Sequence, residues 1–521
     1  MIPLFTSQQV RAADSYAINK LGMPGIMLME NAAISIKNSI FAKFPHIKNN
    51  NTFGIVCGKG NNGGDGFALA RQLLIDGFNV IVISLGKEIE LKGDALINYE
   101  ILTKVIKDYD DSTLVNYKSL RTLDKLKKCD VIVDALLGTG SKGELREPYN
   151  SIVKKLNKLN KIKIAIDVPT GLSLENANGT TIFNADLTVT LAELKTGLFY
   201  EKGYANSGKI EKGSIGIGEK YFDSLKVTEY LIEPEDALIG LPKKEKNIEK
   251  YSAGKVLIIA GSGNMPGAAI FTTNACMISG TGACFLAYPE SVKVVPQKKL
   301  NSAIVLAYND NKKEYLSSEN IEKLTSKINW ADVIAIGPGL GREKETIDAV
   351  REILKRNPKK KFVIDADAIF ALGNSFYKKI NLQNKILTPH HKEFADLLGI
   401  NIKNLKQNIL KYGKLFVKQS KAMLVLKGAP TIIFSPNGDV FINTTGNSGM
   451  AKFGTGDVLT GIISAFIAQN KQIESSIITA VYIHSLAADI AIKKETEFGL
   501  TPEKLTNNIT KTIRFLRNSF V

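Results

Sequence analysis

Two aspartates in this chain stand where a proton transfer beside a phosphate is expected. Asp457 closes Gly454-Thr455-Gly456-Asp457 and leads directly into Val458-Leu459-Thr460-Gly461-Ile462-Ile463. Leu459, Ile462, Ile463, Phe466 and Ile467 keep helical spacing, so the glycines fall at a helix N-terminus. Free N–H groups and the helix dipole there stabilise a transferring phosphoryl group. Asp457, in the first turn, is placed to accept the proton of a hydroxyl attacking that phosphorus. A simple N-capping Asp would look similar, but Gly454 and Gly456 add backbone donors that a cap does not need. The chain has no Walker loop, so phosphate handling falls to this element.

The other aspartate, Asp167, belongs to a set of three strand ends. Gly58-Lys59-Gly60-Asn61-Asn62-Gly63-Gly64-Asp65-Gly66 follows an apolar strand and precedes a helix. Val131-Ile132-Val133-Asp134 runs into Gly138-Thr139-Gly140-Ser141-Lys142-Gly143, and Ile164-Ala165-Ile166-Asp167 runs into Val168-Pro169-Thr170-Gly171. Open parallel sheets gather ligands at the carboxyl ends of their strands, so three such ends with Gly and an acid predict one cleft. Gly58, Gly60 and Gly63 match G-x-G-x-x-G, a weak signal alone. A dinucleotide dehydrogenase would also carry an acid at the end of the next strand, and Ser84-Leu85-Gly86 has none. The clustered glycines still expose N–H groups that suit a phosphate.

The elements that must position these residues alternate along the chain. Strand signals at residues 53–57, 80–84, 131–134, 162–167 and 187–191 are separated by helical patterns such as residues 67–76, with residues 8–19 and 24–44 helical before them. Short strand-like pieces follow between Gly203 and Gly218. The polar stretch from Leu241 to Lys250 reads as a linker or an exposed loop. A second series runs through residues 255–260, 333–337, 362–365, 385–387 and 422–426, and closes with helices over 457–469 and 475–493. Alternation of this kind predicts an α/β fold with largely parallel sheets, divided near residues 220–240.

Composition narrows the class. The chain has 521 residues, 44% hydrophobic and 23% charged, a mixture that excludes disordered, collagen-like and disulfide-scaffold chains. Apolar runs such as Val458–Ala468 fall short of the roughly 20 residues a membrane span needs, and the first ten residues do not read as a leader. A net charge of +17 rests on lysine, with only nine arginines, and the lysines are not interleaved with aromatics. Scarce arginine argues against nucleic-acid readout, though the field attracts anionic substrates. Cys57, Cys129, Cys276 and Cys284 show no paired spacing, so buried thiols and a cytoplasmic location are expected. Adjacent His390 and His391 point to opposite sides of an extended chain and cannot share one metal, and four histidines give little scope for zinc.

The first half resembles the epimerase domain for hydrated NADH and NADPH. The residues that carry the likeness are Leu28-Met29-Glu30-Asn31-Ala32, NNGGDG at 61–66, GTG at 138–140 and Asp167-Val168-Pro169-Thr170-Gly171. The resemblance implies a Rossmann-like αβα domain over residues 1–220. It places substrate against Asn61, Asn62, Gly63, Gly64, Asp65, Gly138, Thr139, Gly140, Ser141, Lys142, Gly143, Glu144 and Asp167. It also implies potassium at Asn62, Asp134 and Thr170, with Asp167 as acid/base residue and Lys195 as a weaker candidate partner. Thr170 and Ala33 stand where that family often has Ser and Gly; a Thr hydroxyl still ligates.

Residues 234–521 are similar to the dehydratase for the same hydrates, a ribokinase-like αβα domain. Gly261-Ser262, Pro266-Gly267-Ala268-Ala269, Gly337-Pro338-Gly339-Leu340-Gly341, Asp365-Ala366-Asp367-Ala368, Thr388-Pro389-His390, Lys427-Gly428-Ala429-Pro430-Thr431 and the GTGD carry this likeness. It implies that Ala268, Gly339, His390 and Asp457 line the hydrate site, that Lys427, Gly428, Ala429, Pro430, Thr431 and Gly456 hold the nucleotide, and that Asp457 is the base. His391-Lys392-Glu393 departs from the usual Pro-Gly-Glu, which bears on the shape of that loop. ADP as phosphoryl donor, Mg2+ at the phosphate, small-molecule partners only and a homo-oligomer complete the expectation. A small-molecule kinase would share GTGD but not the combination with PGAA, GPGLG, TPH and a fused first domain. A nucleotide-sensing or RNA-associated scaffold would have no need of Asp134 and Asp167.

Overall fold

The computed structural model describes residues 1–140, 143–470 and 472–520. They form two compact units, Pro3–Val227 and Thr228 onward, with Met1 and Ile2 belonging to the second. The exposed stretch from Lys243 to Lys250 lies inside the second unit, so it is a surface loop and not the link between units.

The first unit is built on seven parallel strands, in the order Thr113–Asn116, Asn79–Ser84, Thr52–Cys57, Val131–Ala135, Ile162–Ile166, Leu187–Leu191 and Lys209–Gly213. Alternation along Thr52–Cys57 sends Phe53, Ile55 and Cys57 to one face, where Ile36 and Ile40 of helix Gly25–Lys43 and Leu69 and Leu73 of helix Asn61–Ile75 cover them. Val56 and Ile132 point the other way, against Leu126, Ile152 and Leu156. Both faces are covered, which is why these strands read as continuous apolar runs. Chain order reverses between Thr52–Cys57 and Val131–Ala135, so the crevice expected of a doubly wound sheet opens beyond Cys57 and Ala135.

Helix Asn61–Ile75 begins earlier than its apolar spacing suggests. The NNGGDG segment is its first two turns and not a loop ahead of it. A Cβ on Gly63 would stand 2.1 Å from the Gly58 carbonyl oxygen, and one on Gly64 would stand 2.7 Å from the Met29 sulfur. Close approach of this helix start to the strand end is what these glycines permit.

In the second unit parallel strands run Ile304–Tyr308, Ala283–Pro289, Lys255–Ile259, Val333–Ile336, Lys361–Ile364, Lys385–Leu387 and Met423–Leu426. An antiparallel pair, Thr431–Phe434 and Val440–Asn443, follows, then Glu229–Leu231 parallel to the last. Order reverses here between Lys255–Ile259 and Val333–Ile336. Helix Thr455–Gln469 packs over this centre, burying Val458, Leu459, Ile462, Ile463, Phe466 and Ile467 in one core with Val256, Ile258 and Ala335. The neighbouring helix Ile473–Ile492 has 20 residues with mean hydropathy 1.5, long and apolar enough by those measures to cross a membrane, contrary to the expectation from uninterrupted runs. Polar Ser, Thr and His residues break its runs, and 72% of it is buried within the unit, which accounts for its apolarity.

Candidate active sites

The three strand ends of the first unit meet, together with two helices, around a cavity of about 480 Å³. Gly60, Asn61, Asn62 and Asp65 line it from one end, Leu136 to Gly140 from the second and Asp167 from the third. Leu28, Met29 and Ala32 of helix Gly25–Lys43 and Arg11 and Asp14 of helix Ser7–Lys20 close it. Glu30 of the same motif turns away to bond Arg71 and Gln72, fixing one helix against the other. Gly63 and Gly64 are buried behind the wall, and Glu144 is not among its lining residues. Gly143 lines a smaller adjoining cleft with Gly138 and Thr139. Ser141 and Lys142 lie outside the described residues.

Asp167 sits in the left-handed region at φ 66°, a conformation that non-glycine residues adopt mostly where surroundings enforce it. Lys195 holds the carboxylate of Asp167. Its Nζ lies 2.8 Å from Asp167 Oδ1 and donates to Thr190 Oγ1 and the Leu191 carbonyl, both at 2.8 Å, with the side chain only 1% exposed. Thr139 N–H donates to Asp167 Oδ2 at 3.2 Å, tying the GTG segment to the same carboxylate. Asp65 is held well above the usual carboxylate range by burial and by Asp167 and Asp14.

Asp134 and Thr170 lie just beneath the cavity. The Thr170 N–H and hydroxyl each donate to Asp134 at 2.8 Å, and Leu136 N–H donates at 3.1 Å. Complete burial nevertheless pushes Asp134 up to about 6, those bonds only moderating it. Among the described residues, Asn62 Nδ2 is buried without a hydrogen-bond partner. A buried carboxylate, a threonine hydroxyl and an amide whose ends exchange on rotation form an oxygen-rich donor set suited to a hard monovalent cation.

The second unit gathers its polar groups at its own switch point. Gly454, at φ 92°, brings helix Thr455–Gln469 against Phe271 and Pro502, closer than any side chain would allow. Asp457 follows in the first turn, where burial first and then Asp365 push it up to about 7, partly offset by Lys427. Lys427 Nζ pairs with the fully buried Asp365 at 2.7 Å, and Thr460 Oγ1 donates to the other oxygen of Asp365 at 2.7 Å. Burial pulls the Lys427 ammonium down, but Asp365, Glu393 and Asp457 outweigh it and leave it raised, so it stays charged. A Cβ on Gly456 would lie 3.2 Å from that ammonium.

Ala268 and Gly339 face each other across the reversal, a Cβ on Gly339 falling 2.9 Å from that of Ala268. His390 is a helix cap and not a core residue. Its Nδ1 accepts from Glu393 N–H at 3.1 Å, while Glu393 Oε2 accepts from His390 N–H at 2.8 Å, a reciprocal capping box that closes the loop without the usual Pro-Gly. Its ring is 54% exposed, with Nε2 3.5 Å from Glu393 Oε1. The Lys427 N–H bonds the Pro389 carbonyl at 2.8 Å, so the TPH and KGAPT segments run side by side. Gly428 and Ala429 are exposed, Pro430 is buried, and Thr431 opens the antiparallel pair with its hydroxyl on the Gly428 carbonyl.

Sequence reading missed Asp14, Thr460 and His484. Asp14 shares a stripe with buried Val10 and Ala17, and a carboxylate on an apolar stripe was the available signal. His484, buried and lowered to about 4, is neutral, and its Nε2–H donates to the Thr455 carbonyl at 2.9 Å, bracing the GTGD turn.

Fold and sites together define a two-unit α/β protein, each unit with a polar cluster at the reversal of a doubly wound sheet, the second ribokinase-like. Residues 25–197 match the family model described as YjeF-related protein N-terminus, and residues 256–511 match that of NAD(P)H-hydrate dehydratase. The chain is 33% identical over 517 residues to the bifunctional NAD(P)H-hydrate repair enzyme Nnr of Moorella thermoacetica, covering 98% of this chain and 97% of that protein. It is 34% identical to the protein of the same name from Methanocaldococcus jannaschii, over 95% of this chain and 91% of the other. A ribokinase-like superfamily protein of Enterococcus faecalis V583 superposes with TM-score 0.50 and 28% identity, covering 56% of this chain and 98% of that one. The chain belongs to the family of bifunctional NAD(P)H-hydrate repair enzymes.

Proposed function

We propose that this protein repairs NADH and NADPH hydrated at C6 of the nicotinamide ring. The first unit interconverts the R and S hydrates, and the second dehydrates the S hydrate using ADP, giving AMP and phosphate. The observation that carries this reading is Asp457, held near neutrality at the head of a glycine-opened helix beside the Lys427–Asp365 pair, in a chain that also holds the Asp167 cavity.

In the first unit the ring nitrogen lone pair assists departure of the C6 hydroxyl, and water returns to the other face. Asp167, oriented by Lys195 and Thr139, moves a proton to or from that oxygen. Asn62, Asp134 and Thr170 would hold potassium, which supplies positive charge beneath the cavity when bound. Asn61, Asn62, Gly138, Thr139 and Gly140 offer amides and side chains to the dinucleotide phosphates.

In the second unit the C6 hydroxyl of the S hydrate attacks the terminal phosphorus of ADP. Asp457 accepts the hydroxyl proton, and the P–O bond to AMP breaks. The C6 phosphate ester then leaves with the C–O electron pair as C5 gives up a proton, restoring the C5=C6 double bond and releasing inorganic phosphate. Gly456 and Lys427 receive the nucleotide, while Ala268, Gly339 and His390 receive the hydrate. Mg2+, when bound, neutralises the transferring phosphate. The test is to supply S hydrate, ADP and Mg2+ and to follow reduced-cofactor absorbance together with AMP. Equal amounts of both support the reading; recovery without AMP would overturn it.

A further inference from the structure

The epimerase cavity holds a second carboxyl group that the reading above leaves without a task. Asp14 lies on helix Ser7–Lys20, whose start is fixed by a capping box in which Thr6 Oγ1 accepts from Gln9 N–H and Gln9 Oε1 accepts from Thr6 N–H. Buried Val10, Ala13 and Ala17 anchor the helix, and Asp14 emerges beside that stripe into the wall of the cavity that Asp167 also lines. Two carboxyl groups from different elements therefore face one substrate-sized space. Their surroundings differ. Asp167 is paired with the Lys195 ammonium at 2.8 Å. Asp14 is exposed toward the cavity, yet the protein packed around it and the nearby Asp167 push it up to about 6 against the opposing pull of Lys195, and among the described residues no hydrogen bond lowers it further. The charged groups around it are Arg11 on its own helix, Asp65 at the start of helix Asn61–Ile75, Asp94 of helix Gly93–Val105, and the Asp167–Lys195 pair.

Resting on the proposed epimerisation, we infer that Asp14 is a further catalytic residue, the proton donor that complements Asp167. Inversion at C6 needs one proton delivered and another removed. The protonated Asp14 carboxyl gives its proton to the departing C6 hydroxyl. The C6–O bond breaks with its electron pair on what becomes water, and the ring nitrogen lone pair forms the N1=C6 iminium bond. Water then adds to the opposite face, its oxygen pair forming the new C6–O bond while the nitrogen recovers its lone pair. Asp167 takes the proton that this water sheds. The net change is inversion at carbon with one proton moved from Asp14 to Asp167, and exchange with solvent restores both. The reverse conversion runs with the roles exchanged. Two carboxyls kept apart in protonation by environment are the usual solution to this need.

The test compares Asp14→Asn, Asp14→Glu and Asp167→Asn in the full chain, with dehydration of pure S hydrate as the control for folding. Epimerisation is followed as conversion of pure R hydrate. Asp14→Asn is expected to lower the epimerisation kcat about 10²- to 10⁴-fold with little change in KM, and to remove the fall in rate above about pH 6. Asp14→Glu is expected to recover much of the rate. If Asp14→Asn keeps the wild-type kcat and pH profile while Asp167→Asn is inactive, the role of Asp14 is overturned and the epimerase reading stands. If Asp167→Asn is also fully active, the epimerase reading itself falls.

Discussion

Replacing Asp457 by Asn removes the proposed base while keeping the size of the side chain and its place in the helix. Burial and Asp365 hold this group at about 7, with Lys427 restraining the rise. A base with that value is ionised to about one-tenth at pH 6, half at pH 7 and nine-tenths at pH 8. Only the ionised form accepts a proton, so the dehydration rate of the native chain should climb about tenfold between pH 6 and 8 and then level. General-base catalysis of this kind is worth roughly 10²- to 10⁴-fold, or about 3–5 kcal/mol of barrier. The variant should therefore lose about that factor in kcat under saturating S hydrate and ADP, and its residual rate should be flat across pH 6–8. Helix Thr455–Gln469 is anchored by Val458, Leu459, Ile462 and Phe466, so the fold should survive. Parallel measurement of AMP release and reduced-cofactor absorbance reads the loss. Wild-type turnover in Asp457→Asn, or a native rate that falls as pH rises through 7, would refute the reasoning.

Other perturbations address separate parts of the molecule. Asp167→Asn should abolish conversion of R to S hydrate with dehydration of S hydrate unchanged; equal epimerisation in the variant would remove Asp167 from its role. Lys427→Met leaves Asp365 buried without its ammonium partner, and urea unfolding should report a loss of about 3–5 kcal/mol in the second unit. Unaltered stability would show that the pair contributes nothing. Asp134 is raised to about 6 when folded, so without a cation its burial costs stability as pH rises from about 4 to 6, the unfolded chain having released that proton. Potassium should offset this cost above pH 6, raising Tm more at pH 8 than at pH 5 relative to choline, and the difference should vanish in Asp134→Asn. A potassium effect independent of pH and of Asp134 would contradict the cation site.

Much of this architecture is readable from periodicity, because both sheets are buried on both faces and their strands are short uniform apolar runs. Asp134, Asp167 and Asp457 stand out for the same reason, as charges at the ends of such runs. Two kinds of feature do not show in a linear reading. The start of helix Asn61–Ile75 is hidden because glycines carry no helical signal, and only their packing against Gly58 and Met29 reveals why they are helical. Pairings over long separations are equally silent. Thr460 meets Asp365 across 95 residues through the arrangement of sheets and helices alone, whereas Lys195, expected from the family resemblance as a partner of Asp167, does meet it. Asp14 carries a local signal on its helix, but its neighbours are set by where helix Ser7–Lys20 closes the cavity. Loop shape at His390, left open by the departure from Pro-Gly, is set by a histidine ring nitrogen and Glu393, which form a capping box there.

The central claim is that one chain carries an R hydrate through both sites in sequence. The measurement is to give the full-length protein pure R hydrate with ADP, Mg2+ and potassium and to follow reduced-cofactor absorbance beside the Asp167→Asn chain. Complete recovery by the native protein, with one AMP per cofactor and only the slow spontaneous rate in the variant, is the result expected. Conversion of S hydrate but not R hydrate by the native chain, or identical recovery by both proteins, would contradict it.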